Sequence, residues 1–293
     1  MKDVRIAILL TCHNRREKTL FSLEALFKQV LGLENSLQVY LVDDGSSDRT
    51  QEAVQLNYPE VKVLQGDGNL FWNGGMRLAF SEALKTGHDY YLWLNDDTQL
   101  EPDALSNLLN THYQLAEQGK PNSIVVGSTR DGVTGELTYG GVVRPNRWRR
   151  LAFKRVEPSK ERQECETMNG NCVLIPHTVA EKVGNLDNAF THGIGDYDYG
   201  LRARRLGCSV WIAPEYVGTC SRNLLRGGWE DTNLPLGARW KKVRQVKGLA
   251  LKEWKIFASR YAGPFWYIYW LSPYIRLISS SAFKKLGFIP KQV

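Results

Sequence analysis

Five short runs rich in β-branched and aromatic residues dominate the first part of the chain: VRIAILL (residues 4–10), LQVYLV (37–42), VKVL (61–64), YYLWL (90–94) and SIVVG (123–127). Segments of helical spacing separate them. Leu20, Leu23, Leu26, Phe27 and Val30 follow the first run at intervals of three and four, and residues 72–84 follow the third in the same way. The runs are mostly apolar, with Arg5, Gln38, Lys62 and Ser123 as polar interruptions. Strand and helix in alternation predict an α/β fold with a parallel sheet covered by helices on both sides. Further on, residues 134–144 read as a hairpin, residues 179–183 as a helix and SVWIAP (209–214) as a late strand.

The chemistry collects where three of the runs stop. The first ends in Thr11, Cys12, His13, Asn14 and Arg15, the second in Asp43 and Asp44, and the fourth in Asn95, Asp96 and Asp97. Open α/β sheets bind ligands beyond the carboxyl ends of their strands, so parallel neighbours would line these clusters along one edge. Carboxylates crowded there need a counter-ion, and hard oxygen ligands suit Mg2+ or Mn2+. The DDGSSD stretch also makes an ordinary turn with Ser47 or Asp48 as helix cap. Two acids closing the apolar YYLWL run go beyond what a cap requires. A second pair, Asp196 and Asp198, lies in GIGDYDYGLRARRLG (193–207). Asp198 has a structural role available at i,i+4 to Arg202. Asp196, preceded by Gly193 and Gly195, is the candidate general base, because glycines let a backbone approach a ligand closely.

With 43% hydrophobic and 24% charged residues the chain has the composition of a globular protein, not a disordered one. Its net charge of +7 suggests a polyanion partner until it is located. Residues 239–260 hold eight Lys and Arg against one acid, Glu253, and so carry the whole excess. A nucleic-acid binder would leave the acidic strand ends unexplained, so nucleic acid is not an expected partner. The five cysteines are scattered without a CxxC pair, which suggests neither disulfides nor zinc and fits a reducing, cytoplasmic setting. The N-terminal apolar run is too short for a signal peptide and lacks a cleavage site, and is taken as the first strand. After the basic stretch, the longest uncharged run has 15 residues and two prolines, short of the roughly 20 that span a bilayer. Basic residues followed by Trp and Tyr suit the surface of an anionic membrane. The same aromatics equally suit packing on the main domain or on a second copy of the chain.

Taken in order, ILLTCHNR, LVDDGSSD, NLFWNGGMRLAF, LWLNDDTQLEPDAL and GDYDYGLRARRLG resemble the inverting family 2 glycosyltransferases of GT-A fold, and within them the rhamnosyltransferase-like branch of bacterial surface polysaccharide synthesis. The resemblance covers roughly residues 4–222. It implies a catalytic domain over 1–235, with a nucleotide-sugar half over about 1–128 and an acceptor half over about 129–235. A helical, basic and aromatic appendage over 236–293 would follow. It implies transfer from a UDP- or dTDP-sugar to a hydroxyl of a saccharide or lipid-linked acceptor, with Mn2+ or Mg2+ as cofactor. Thr11, His13, Arg15 and Asp43 would surround the base, and residues 69–75, with Asn69, Asn73 and Gly74, would close over base and ribose. Asp96 would meet the ribose or the metal, Asp97 would hold the metal, and Asp196 would be the base. The sequence departs from the family twice: Gly195 stands where the acidic motif usually has Glu, and Thr219 and Cys220 stand where many relatives carry a histidine. Cys220 is not expected to be a ligand.

A dinucleotide oxidoreductase would share the alternation, but TCHNRR lacks the G-x-G-x-x-G loop. A metal-dependent phosphatase or nucleotidyltransferase would use similar acids, and a non-catalytic sugar-nucleotide binder would keep the same pocket. Acceptor-dependent turnover separates transfer from these.

Overall fold

A computed structural model of the chain describes residues 4–30, 35–222 and 227–285. The start of the expected catalytic domain (1–3) and the end of the expected appendage (286–293) lie outside them. The chain divides into two compact units: residues 4–143 with 153–222, and residues 144–152 with 227–285.

The first unit runs β1 (Val4–Cys12), α1 (Arg16–Phe27), β2 (Asn35–Asp43), α2 (Thr50–Asn57), β3 (Lys62–Gln65), α3 (Phe71–Thr86), β4 (Tyr90–Leu94), β5 (Gln99–Leu100) and α4 (Ala104–Glu117). It continues with β6 (Ser123–Arg130), β7 (Leu137–Tyr139), β8 (Gly141–Val143), β9 (Lys154–Arg155), β10 (Gln163–Cys165), β11 (Thr167–Met168) and β12 (Cys172–Pro176). It closes with α5 (His177–Val183), α6 (Gly195–Arg205) and β13 (Ser209–Thr219). Among the described residues the main sheet has the order β10-β13-β6-β12-β4-β1-β2-β3, with β5 on β13 and β7 on β6, and β11-β8-β9 form a small second sheet. Strands β4, β1, β2 and β3 are parallel, with Cys12 opposite Asp43 and Leu9 opposite Trp93. The three polar strand ends therefore do meet at one edge. β12 runs antiparallel between β4 and β6, which strand-helix alternation did not predict.

Each face of the sheet carries a core. Ile6, Ile8 and Leu10 of β1 point into one, with Tyr90, Leu92 and Leu94, while Ala7 and Leu9 point into the other with Tyr91 and Trp93. This double burial is why the runs lack alternation. The helices turn one stripe inward, as in α1 with Thr19, Ser22, Leu23 and Leu26. Two local expectations shift. The N-cap of α2 is Arg49, in left-handed backbone at φ 63°, rather than Ser47 or Asp48. Asp48 instead accepts the N–H of Thr50 at 3.1 Å and that of Arg16 at 3.0 Å, pinning the starts of two helices. Pro102, a residue type whose fixed φ suits the first turn of a helix, lies two residues before α4 instead.

The second unit contains α7 (Leu236–Val243), α8 (Leu251–Tyr261) and α9 (Trp266–Lys285). α8 buries Trp254, Phe257, Ala258 and Tyr261. The indoles of Trp254 and Trp270 each donate to a backbone carbonyl of the other helix or its entry, Trp270 and Leu251 respectively, both at 3.2 Å. No helix of the described residues is long and apolar enough to cross a membrane.

Candidate active site

The site forms where β1 and β4 end side by side. Arg15 follows β1, Asp96 and Asp97 follow β4, and one guanidinium nitrogen, Nη1, donates to Asp96 Oδ1 at 3.0 Å and to Asp97 Oδ2 at 2.8 Å. Burial of such a pair without a cation would cost several kcal/mol, about what an unpaired buried charge costs. Arg15 is that cation here. Burial pushes Asp96 up to about 7, above the usual carboxylate range, against the pull of Arg15 and with the push of Asp97. Its Oδ2 is buried without a hydrogen-bond partner.

Asp97 Oδ1 accepts the thiol of Cys220 at 3.4 Å, and Cys220 Sγ accepts the side-chain amide of Asn171 at 3.5 Å. Burial and then Asp97 push this thiol up to about 12, so it remains a donor. Asn95 binds the same neighbour through its backbone N–H, which donates to the Asn171 carbonyl at 2.9 Å. Its side-chain oxygen accepts the indole N–H of Trp72 at 2.7 Å. Trp72 packs closely against Gly170, where a Cβ would come within 2.4 Å of the ring. The Gly170 N–H donates to Asp196 Oδ2 at 2.9 Å, and Asp196 Oδ1 accepts the Tyr197 N–H at 2.8 Å. Burial pushes Asp196 up to about 6, and these two N–H groups oppose the rise. A proton-accepting group poised near neutrality is suited to general-base work. One network thus joins the acid pair of β4 to the carboxylate at the start of α6.

The remaining expected residues divide. His13 Nδ1 donates to the Asp44 carbonyl at 2.6 Å, which sets the ring beside the second strand end. Thr11 is nearly buried and faces Gly75 of α3. Asp43 accepts the Ser46 N–H at 2.9 Å and closes its own turn. Asn69 is exposed on the loop before α3. Asn73 packs against Gly195 at the start of α6, and Gly74 packs against Leu70. Asn73 is fully buried and its amide donates to the carbonyls of Asp187 at 3.0 Å and Phe190 at 2.7 Å, tying α3 to the loop before α6. Gly74 opens onto a groove with Arg77, Ser81 and Asn185. Asp198 is wholly buried and bonds Arg202 Nε at 2.8 Å, the structural role its spacing suggested.

Residues with no individual role expected from the sequence also shape the site. Asp44 accepts the N–H groups of Gly68, Leu70 and Phe71 at 2.9, 3.2 and 2.9 Å, and so fixes the loop that leads into α3. Its place in DDGSSD was visible, but which acid faced inward was not. Trp72 lies within the 69–75 stretch expected to close over base and ribose, whereas Asn171 carried no signal beyond its presence near other polar residues. Gly195 has a steric reason: a Cβ there would meet Asn73 Oδ1 at 1.9 Å, so the glutamate common in the motif has no room.

Among the described residues no three His, Cys, Asp or Glu side chains gather as a metal cage. Two adjacent carboxylates, one with an orphaned buried oxygen, nevertheless fit a divalent cation whose other ligands come from a diphosphate and water.

A parallel-centred α/β sheet with an acid pair at the switch between β1 and β4 and a separate carboxylate at a helix start is the layout of a GT-A nucleotide-sugar enzyme. Residues 7–184 match the model of glycosyl transferase family 2, and the chain belongs to that family. It is 27% identical over 207 residues to the N-acetylglucosaminyl-diphospho-decaprenol L-rhamnosyltransferase of Mycobacterium tuberculosis, an alignment covering 62% of this chain. The chain spans just under two thirds of that relative, 65% of its length. In fold it is similar to the crystal structure of GalNAc-T7 with UDP, GalNAc and Mn2+, at TM-score 0.60 and 16% identity, covering 75% of this chain and 44% of the other. It is also similar to the mannosyltransferase PcManGT from Pyrobaculum calidifontis in complex with GDP-Man and Mn2+, at TM-score 0.57 and 15% identity, covering 100% and 77%.

Proposed function

We propose that the chain is an inverting, divalent-metal-dependent glycosyltransferase. It moves a sugar from a UDP- or dTDP-sugar to a hydroxyl of a lipid-linked saccharide during synthesis of bacterial cell-wall or surface polysaccharide. The observation that carries this reading is the chain of contacts from Asp97 through Cys220, Asn171, Asn95 and Trp72, which packs on Gly170, to Asp196. It fixes a cation-binding pair and a near-neutral carboxylate relative to each other, as the two ends of a displacement at an anomeric carbon require.

Asp97, with Asp96, would hold Mn2+ or Mg2+, which supplies charge neutralisation for a departing diphosphate. His13, Thr11 and Asp43 border the base, and the loop anchored by Asp44 closes its side. Asp196 accepts the acceptor hydroxyl's proton on a carboxylate oxygen while the N–H groups of Gly170 and Tyr197 keep it aimed. Attack from the side of this base, opposite the leaving diphosphate, inverts the anomeric carbon. The relative named for a decaprenol-linked diphosphate sugar supports the lipid-linked acceptor.

The test pairs two substitutions. Asp97→Ala should lose metal-dependent UDP or dTDP binding, whereas Asp196→Asn should keep that binding and lose transfer by a factor of 100 or more, the usual scale for a general base. Equal loss of nucleotide binding in both would refute the assigned roles. Phosphate or nucleotide release that ignores added acceptor would favour a phosphatase.

A further inference from the structure

The second unit holds a cavity of about 680 Å³ that no step above uses. Its size lies within the range of sites for drug-sized ligands. Trp148 and Arg149 come from the 144–152 segment, Trp229 from the chain before α7, Trp254 from α8, and Tyr269 and Arg276 from α9. Hydrogen bonds hold this wall together. The Tyr269 hydroxyl donates to the Trp148 carbonyl, and Arg239 Nε donates to the Trp229 carbonyl at 2.9 Å. Arg149 and Arg276 are exposed, and neither makes an ion pair among the described residues. Two available guanidinium groups offer the forked donors that phosphate oxygens take best. The aromatic rings beside them supply an apolar wall.

The cavity's rim continues into an apolar stripe. Ile268 lines the cavity and is 54% exposed, and Leu271, Ile275 and Ile278 follow it at intervals of three and four on one side of α9, at 40%, 59% and 49% exposure. Four large aliphatic side chains aligned on a solvent-facing helix side are what a lipid surface takes up. The cationic excess of residues 239–260, in this same unit, complements anionic headgroups.

We propose that this cavity binds the diphosphate and first isoprene units of a polyisoprenyl diphosphate, with the α9 stripe seated on the bilayer. Arg149 and Arg276 clasp the diphosphate, and Trp148, Trp254 and Tyr269 pack on the isoprene. The assignment rests on the reading that the acceptor is lipid-linked, and it places the lipid end of that acceptor in the second unit.

The experiment titrates the full chain in EDTA, so that no metal holds a diphosphate at the donor site, with farnesyl diphosphate, inorganic pyrophosphate and farnesol, following tryptophan fluorescence. Farnesyl diphosphate should bind at least tenfold more tightly than either of the others. The Arg149→Gln/Arg276→Gln variant should weaken it tenfold or more, and Trp148→Ala, whose ring is 73% exposed, should weaken it as well. Equal affinity in parent and double variant overturns the proposal, as does absence of binding. Pyrophosphate binding as tightly as farnesyl diphosphate would reduce the site to an anion patch, and farnesol binding as tightly would reduce it to an apolar patch; either outcome also overturns it. Binding of UDP or dTDP with Mn2+ serves as the folding control and separates the two ideas. Its absence alongside intact farnesyl diphosphate binding would sink the donor reading and leave the lipid site standing.

Discussion

Arg15 occupies the position that a donor-bound cation would claim, so it should compete with metal. Its Nη1 lies 3.0 and 2.8 Å from the two carboxylates. In a medium of effective dielectric about 20, each such contact is worth roughly 5 to 6 kcal/mol of Coulomb attraction. The Arg15 side chain is 38% exposed, so solvent screening and desolvation reduce the net contribution to about 2 kcal/mol. Arg15→Gln should therefore lower the metal-free melting temperature by roughly 4 to 8 °C, taking 2 to 4 °C per kcal/mol. It also leaves two carboxylates facing each other without a cation. Mn2+ alone, without nucleotide, should then stabilise the variant by several degrees more than the parent, since a ligand at 100 times its Kd adds about 2.7 kcal/mol. The assay is a thermal melt of both proteins across a Mn2+ series, with calorimetric titration as the direct check of affinity. Identical metal-free melting points and identical Mn2+ responses would refute the competition.

Three further outcomes follow from the same geometry. In its proposed role as base Asp196 must be ionised to act, and burial raises it to about 6, so kcat/KM should fall tenfold per pH unit below about 6 and level off above it. A profile flat from pH 5 to 8 would deny Asp196 that role. Gly195→Ala places a Cβ 1.9 Å from Asn73 Oδ1 and should cost about 1 to 3 kcal/mol by overpacking, read as a lower melting temperature; a parent-like melt would show that Asn73 yields freely. Trp72→Phe removes the indole donor from Asn95 Oδ1 and should cost about 1 to 3 kcal/mol for the stranded acceptor, read by chemical denaturation, whereas an unchanged midpoint would mean water replaces the indole.

Much of the first unit was legible because most of its strands are buried on both faces, the edge strand β3 excepted. The runs at residues 4–10, 37–42, 61–64, 90–94 and 123–127 became β1, β2, β3, β4 and β6, with β1, β2 and β6 extended where backbone pairing continues past the apolar residues. The helix starts were less legible. α2 begins behind a left-handed arginine, and the Asp that seemed its cap instead ties two helices together across 32 residues of sequence. Periodicity reports which face of an element is buried, but not how side chains outside the element satisfy its end.

The candidate site divides along the same line. Arg15, Asp96 and Asp97 were recoverable because two parallel neighbours each end in charge, and parallel pairing alone brings such ends together. The link to Asp196 was not, because it depends on β12. That strand lies antiparallel to β4, with Cys172 opposite Leu94. A parallel β12 would start at the opposite edge of the sheet and carry Gly170 and Asn171 away from the acids. Running antiparallel, it starts where β4 ends, so the residues just before it reach Asn95 and Cys220 on one side and Asp196 on the other. Nothing in CVLIP distinguishes the two directions, since both bury an apolar strand on two faces. The orientation of one short strand therefore decides whether the acid pair of β4 and the Asp196 carboxylate belong to the same candidate site.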